Sequence, residues 1–210
     1  MSTKLGLIEM IVETIVIGGS AGALEALSVL LPALPADCGF AVAIVVHLPP
    51  SKPSHLAEVL GVKTALPVKE AEDKEPVAAG TVYVAPPGYH LLIERSRTFA
   101  LSADDPIHYS RPAIDVLFES AADAYGDRLA GIILTGANAD GARGLLAVKR
   151  KGGFAVVQSP EGAFAPNMPE AAIALAHPDR ILPVEEIAVW LASLGQGARG
   201  RRPGRAREPG

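Results

Sequence analysis

The stretch TIVIGGSAGALEALSVLL, residues 14–31, decides the reading of the fold. Thr14, Ile15, Val16 and Ile17 are all β-branched and favour a strand, a glycine-rich turn follows, and residues 21–31 repeat their apolar side chains at helical spacing. The same unit recurs down the chain. Residues 41–48 precede a helical pattern over 53–60, 129–134 precede 140–151, and 154–157 precede 168–176. Runs such as AVAIVV and GIIL carry no polar alternation, so their strands are buried on both faces. The expected architecture is α/β: a doubly wound, mostly parallel sheet with helices on both faces.

Two regions depart from that rhythm. Over residues 68–103 short alternating segments (VKEA, TVYVA, YHLLIER, TFALSA) with turn punctuation predict an antiparallel hairpin or meander at one edge of the sheet. Residues 111–126 then read as a helix with Pro112 in its first turn and Ile114, Leu117, Phe118, Ala121 and Tyr125 as one apolar stripe. A last helix over 185–194 gathers Ile187, Trp190, Leu191 and Leu194. Residues 1–195 are expected to form one domain and 196–210 a disordered tail rich in Arg, Gly and Pro.

With 210 residues the chain can bury a core without covalent staples, and its single cysteine, Cys38, has no partner for an internal disulfide. Mean hydropathy is high at +0.28. The most apolar stretch is nevertheless interrupted by Glu25, Pro32, Pro35 and Asp37, so it reads as strand and buried helix and no membrane insertion is expected. No secretory leader is legible at the start, which makes the cytoplasm the expected location. The formal net charge of −4 hides an asymmetry. From Gln196 onward five arginines stand against one glutamate, leaving 14 basic and 22 acidic residues in the body, a balance of −8. An acidic body excludes nucleic acid as the principal ligand, because a phosphate backbone demands clustered cations.

Three strand ends offer chemistry. Gly18, Ser20 and Gly22 satisfy GxSxG where the first strand passes into its helix, which would hold a serine hydroxyl at the carboxyl edge of the sheet beside unpaired helix amides. Against a nucleophile stand a serine helix cap and a phosphate-cradling turn. His47 follows the second strand and reaches the same edge, either as a general base or as a strand-end histidine bonded to a backbone carbonyl. Asp140 lies in a glycine-rich turn after a buried strand, either orienting the imidazole or capping the next helix. Asp104, Asp105 and Asp115 are alternative orienting acids. His55, His90, His108 and His177 lack metal-ligand spacing with one another or with Cys38, so neither a metal nor another cofactor is expected.

The order Ser, His, Asp differs from the Ser, acid, His of α/β-hydrolases. Together with VIGGSAG, VVHLPPS and LTGANADGARGL, it resembles the catalytic domain of chemotaxis protein-glutamate methylesterases. TVYVAPPGYHLLI, HYSRPAIDVLFESAA and VVQSPEGAFAPNMPEAAI extend the resemblance over residues 14–194. It implies hydrolysis of γ-glutamyl methyl esters, and deamidation of glutamines, on the cytoplasmic helices of chemoreceptors. By matching position, Ser20 is the nucleophile, His47 the base and then the acid, and Asp140 the orienting carboxylate. Backbone amides at Ala21 and Ala137 are nominated for the oxyanion. The family's receiver domain has no counterpart in the 13 residues before the first strand, so phosphoryl control in cis is not expected, and a separate receiver protein or a receptor methyltransferase is the further partner considered. Ala21 and Ala137 stand where the family commonly has Thr and Met, and an arginine usual after the histidine segment is missing from residues 50–60. The rival readings are a catalytically silent module of the same fold that binds receptors or signalling partners, and a phosphate or nucleotide binder.

Overall fold

The computed structural model describes residues 12–47 and 55–197. In chain order the elements are β1 (Thr14–Gly19), α1 (Ala23–Leu30), β2 (Ala41–Val46), α2 (Leu56–Gly61), β3 (Val68–Glu70) and β4 (Val82–Val84). There follow β5 (His90–Ile93), β6 (Phe99–Ser102), α3 (Ile114–Tyr125), β7 (Leu129–Ile133) and α4 (Ala142–Arg150). The chain continues through β8 (Phe154–Gln158), α5 (Asn167–Ala176), β9 (Arg180–Leu182) and α6 (Val184–Gly197).

Seven strands form one sheet in the order β3-β4-β2-β1-β7-β8-β9, and every neighbouring pair is parallel. β1 and β2 are buried along their whole length, as their unbroken apolar runs require. Alternate residues point to opposite faces and build two cores. Ile15, Ile17, Val42 and Ile44 pack with Leu27 of α1, Leu60 of α2 and Trp190 of α6. Val16, Val45, Ile133 and Val157 pack with Phe118 of α3, Leu145 of α4 and Met168 of α5. Helices therefore cover both faces, and the doubly wound reading holds.

The predicted hairpin exists as β5 paired antiparallel with β6, but it forms a sheet of its own. Leu91, Ile93 and Phe99 bury against the second core, and the Ser120 hydroxyl of α3 accepts a hydrogen bond from the Ile93 amide at 3.1 Å. β3 and β4, read with that hairpin from their short alternating sequences, instead extend the parallel sheet, since β4 is fully buried beside β2. α3 begins at Ile114, after Pro112 instead of through it, and α6 runs to Gly197, two residues into the segment assigned to the tail. Residues 198–210 and 48–54, which include the rest of the tail and most of the histidine segment, lie outside the described residues.

β1 leads to β2 on one side, and the chain returns to β7 on the other. This reversal is a topological switch point, where open α/β sheets leave a crevice beyond the carboxyl ends of their strands. Ser20, His47 and Asp140 follow β1, β2 and β7 respectively, at the carboxyl edge of the sheet where that crevice lies.

Candidate active site

The serine turn is built from backbone constraints. Ser20 donates its amide to the Thr135 carbonyl at 2.9 Å, and its own carbonyl accepts from Ala23 at 2.9 Å. The left-handed residue of the turn is Gly22, with φ of 80°, and a Cβ there would stand 2.6 Å from Cβ of Phe164. Strain that a β-carbon would suffer is thus confined to a glycine, and Ser20 stays in an ordinary conformation. Gly22 is also the helix N-cap residue, and no side chain caps α1. The Ser20 hydroxyl, half-buried, makes no hydrogen bond among the described residues. The helix-cap reading of this serine is therefore excluded.

His47 is drawn next to that turn by sheet register: Gly19 pairs with Val46, and the His47 amide donates to the Gly19 carbonyl at 3.2 Å. Its ring does not seek a carbonyl. Nε2 lies 2.8 Å from Oδ2 of Asp140, with the histidine side chain 10% exposed and the carboxylate 0%.

Asp140 accepts two further bonds, from the amide of Ile114 to Oδ2 at 2.7 Å and from that of Asp115 to Oδ1 at 3.0 Å. It does cap a helix, but that helix is α3, 26 residues earlier, whose own N-cap position holds Ala113 and cannot do so. The helix after it starts from Gly141 with a φ of 94°. Burial raises the proton affinity of Asp140, but the bonds from His47 and the two amides outweigh it and hold the carboxyl below its ordinary range. An ionised Asp140 can only accept, so Nε2 carries a proton, and Nδ1 is the nitrogen that a neutral ring offers as base. This reverses the ring orientation of the serine-protease triad, in which the acid binds Nδ1.

Of the alternative acids, Asp104 and Asp105 are exposed loop residues. Asp115 is buried, and its Oδ1 accepts from the amides of Gly141 at 2.9 Å and Gly144 at 2.7 Å, so it braces the turn carrying Asp140 without touching His47. Thr135 escaped the sequence reading, and His90 was weighed there only as a metal ligand. Thr135, buried at the end of β7, bonds through Oγ1 to the Ala21 carbonyl at 2.9 Å and to the Ala165 amide at 2.8 Å. His90, 2% exposed, accepts from the Ala113 amide through Nδ1 at 3.1 Å and so donates from Nε2 to the Asp105 carbonyl at 3.1 Å. A polar residue closing an apolar strand, as in GIILT, was the only available signal for Thr135. Cys38 is buried away from the site, its thiol pKa pushed up by burial.

The amides of Ala21 and Ala137 have no acceptor among the described residues. Ala137 is exposed, and its carbonyl accepts from the side-chain Nδ2 of Asn167 at 3.3 Å. A cleft of about 150 Å³ opens from His47 between Gly88 and the loop that carries Tyr109 and Arg111. No group of three or more His, Cys, Asp or Glu among the described residues is placed to hold a metal ion. None of the helices in the described residues is long and apolar enough to cross a membrane.

These features can be set beside known proteins. The family model for the CheB methylesterase matches residues 15–191. A relative from Leptospira interrogans is 46% identical over 184 residues, 88% of this chain and 95% of that protein. A protein-glutamate methylesterase/protein-glutamine glutaminase of Symbiobacterium thermophilum is 39% identical over 87% of this chain, which spans 51% of that longer protein. The crystal structure of the Thermotoga maritima CheB methylesterase catalytic domain superimposes with a TM-score of 0.83 at 34% identity, covering 87% of this chain and 98% of that one. A match over most of the chain, in sequence and in fold, places it: the chain belongs to the CheB methylesterase family.

Proposed function

We propose that the chain is a serine esterase that hydrolyses glutamate γ-methyl esters on the cytoplasmic helices of chemoreceptors, and deamidates glutamines at such sites. The observation that carries this reading is the 2.8 Å bond between His47 and a fully buried, ionised Asp140, at the strand end adjoining Ser20. A buried carboxylate aligned on a histidine at the carboxyl edge of the sheet serves acyl transfer, and the family relatives are named for that chemistry.

In this mechanism Nδ1 of His47 takes the Ser20 proton as Oγ attacks the ester carbonyl carbon. Asp140 stabilises the imidazolium and keeps the proton on Nε2 throughout. The amides of Ala21 and Ala137 meet the oxyanion, and such donors act on charge that develops only in the transition state. His47 returns its proton to the methoxy oxygen, and methanol leaves. Water then gives its proton to Nδ1 and attacks the acyl-serine, releasing the glutamate carboxylate and restoring the Ser20 hydroxyl. With a glutamine, ammonia replaces methanol as the leaving group. No step requires a cofactor.

Purified protein mixed with a methylated chemoreceptor cytoplasmic fragment should release methanol, and the Ser20→Ala variant should not. A variant that matched the parent rate would overturn the mechanism. A silent binding module would release none in either case and would resist labelling by a fluorophosphonate.

A further inference from the structure

Two large aromatic side chains stand unburied beside the clefts that adjoin His47 and Gly22. Tyr109 is 104% exposed and Phe164 81%. Tyr109 borders the cleft that contains His47, and Phe164 sits against Gly22, two residues past the serine. Exposure of this degree normally accompanies a loose loop, but the backbone that carries each is held. His108 and Tyr109 take left-handed φ values of 49° and 62°, which cost non-glycine residues on the order of 1 kcal/mol each. Reciprocal bonds between Ile107 and Ser110, at 3.1 and 2.8 Å, close their turn. Arg111 ties that loop down through the Ala103 and Asp104 carbonyls at 2.7 and 3.0 Å. Phe164 is fixed by its neighbour: the Ala165 amide donates to Thr135 Oγ1 at 2.8 Å, and the Ala165 carbonyl accepts from Gly136 at 2.9 Å. A second cleft of about 160 Å³ lies between Phe164, Gln158, Val29 and Val184.

We infer that Tyr109 and Phe164 are the two anchors by which the enzyme grips its protein substrate on either side of the reacting glutamate. The inference rests on the proposed esterase reading and specifies how that site recognises a protein. A glutamyl side chain is short, so when its ester carbonyl reaches Ser20 the substrate backbone lies just outside, over the surfaces that Tyr109 and Phe164 crown. Aromatic side chains lose few rotamers on binding and dominate interface energetics, and a backbone fixed beforehand lowers the entropic cost of presenting them. The occupant is the ester-bearing segment itself, with apolar side chains flanking the glutamate and meeting the two rings. A small ester fills the catalytic crevice without spanning both anchors.

The test compares Tyr109→Ala, Phe164→Ala and the double variant on a methylated chemoreceptor cytoplasmic fragment and on the γ-methyl ester of N-acetylglutamate. Each single change should raise KM for the protein substrate roughly tenfold while kcat stays within about threefold, as loss of binding shared by ground and transition states requires. The ratio of kcat/KM for the protein to that for the small ester should fall by the same factor, and further in the double variant. Equal losses on both esters would assign the two residues a local structural role and overturn the inference, as would unchanged constants on both. A parent enzyme that cleaves the small ester but leaves the methylated fragment intact would overturn the receptor assignment itself, and this inference with it.

Discussion

Asp115 and Asp140 cap each other's helices. The Asp140 carboxylate accepts the amides of Ile114 and Asp115 at the start of α3, and the Asp115 carboxylate accepts those of Gly141 and Gly144 at the start of α4. Two helix N-termini, each needing acceptors for its free amides, are thereby locked to one another through the acid that aligns His47. Helix docking and the orientation of the candidate base are the same set of bonds.

Asp140→Asn should therefore damage catalysis and folding together. Its amide NH2 cannot accept from donors that now meet Asp140 oxygens. We expect kcat to fall by about 10⁴-fold through loss of the correct imidazole tautomer, and stability by about 1–2 kcal/mol through the lost cap. Because the Asp140 pKa is lowered on folding, its stabilisation is present above the unfolded value of about 3.9 and fades as pH falls through the folded one. Urea melts from pH 7 to pH 3 should show parent and variant converging at the acid end. Equal stability at neutral pH would contradict the double role.

Asp115 is a positioning residue, and its substitutions should separate acceptor from charge. Burial raises its pKa, the Gly144 amide opposes this, and the neighbouring Asp140 charge adds to it. A raised carboxyl pKa means a contribution fully present below about pH 3.9 and lost as pH rises through the folded value. Asp115→Asn keeps an oxygen for Gly141 and Gly144 and sheds the charge, so its stability relative to the parent should improve from pH 4 to pH 7. Asp115→Ala strands two buried amides, costing about 2–4 kcal/mol, and lets the Asp140 turn drift, lowering kcat by up to about 10²-fold. Thermal melts beside kcat measurements decide; an alanine variant with parent stability would refute the cap.

Ser20→Ala and His47→Ala should each reduce kcat by about 10⁴ to 10⁶-fold, and the double variant scarcely more, because members of one catalytic unit are not additive. Fluorophosphonate labelling of Ser20 should be lost in the first and strongly slowed in the second. Labelling of His47→Ala at the parent rate would remove the histidine from the mechanism.

Thr135→Val conserves shape and deletes one hydroxyl. It leaves the half-buried Ala165 amide and Ala21 carbonyl without their partner, so about 1 kcal/mol of stability should disappear. The loosened Ser20 and Phe164 turns should also lower kcat/KM on the receptor fragment more than on a small ester. Identical losses on both would show that Phe164 is unaffected.

The strand-turn-helix units were legible because apolar period and glycine turns are local properties: β1, β2, β7 and β8 begin within a residue of where the pattern put them. β3 and β4 misled the reading for a local reason too. Strands of three residues carry too little sequence to distinguish a parallel partner from a hairpin, and burial beside β2 decided between them. β9, also three residues long, gave no recognisable pattern at all.

What the chain by itself determined is the doubly wound α/β plan and the residue types at three strand ends, since parallel strands covered by helices must deliver their carboxyl ends to one crevice. The family resemblance had already named Asp140 as the acid for His47; only the tertiary structure decided which ring nitrogen it holds and that Asp115 braces the neighbouring turn. The reason is distance along the polypeptide: the bonds in question join residues 25 to 93 positions apart, and nothing in a local pattern specifies which buried amide a carboxylate will reach.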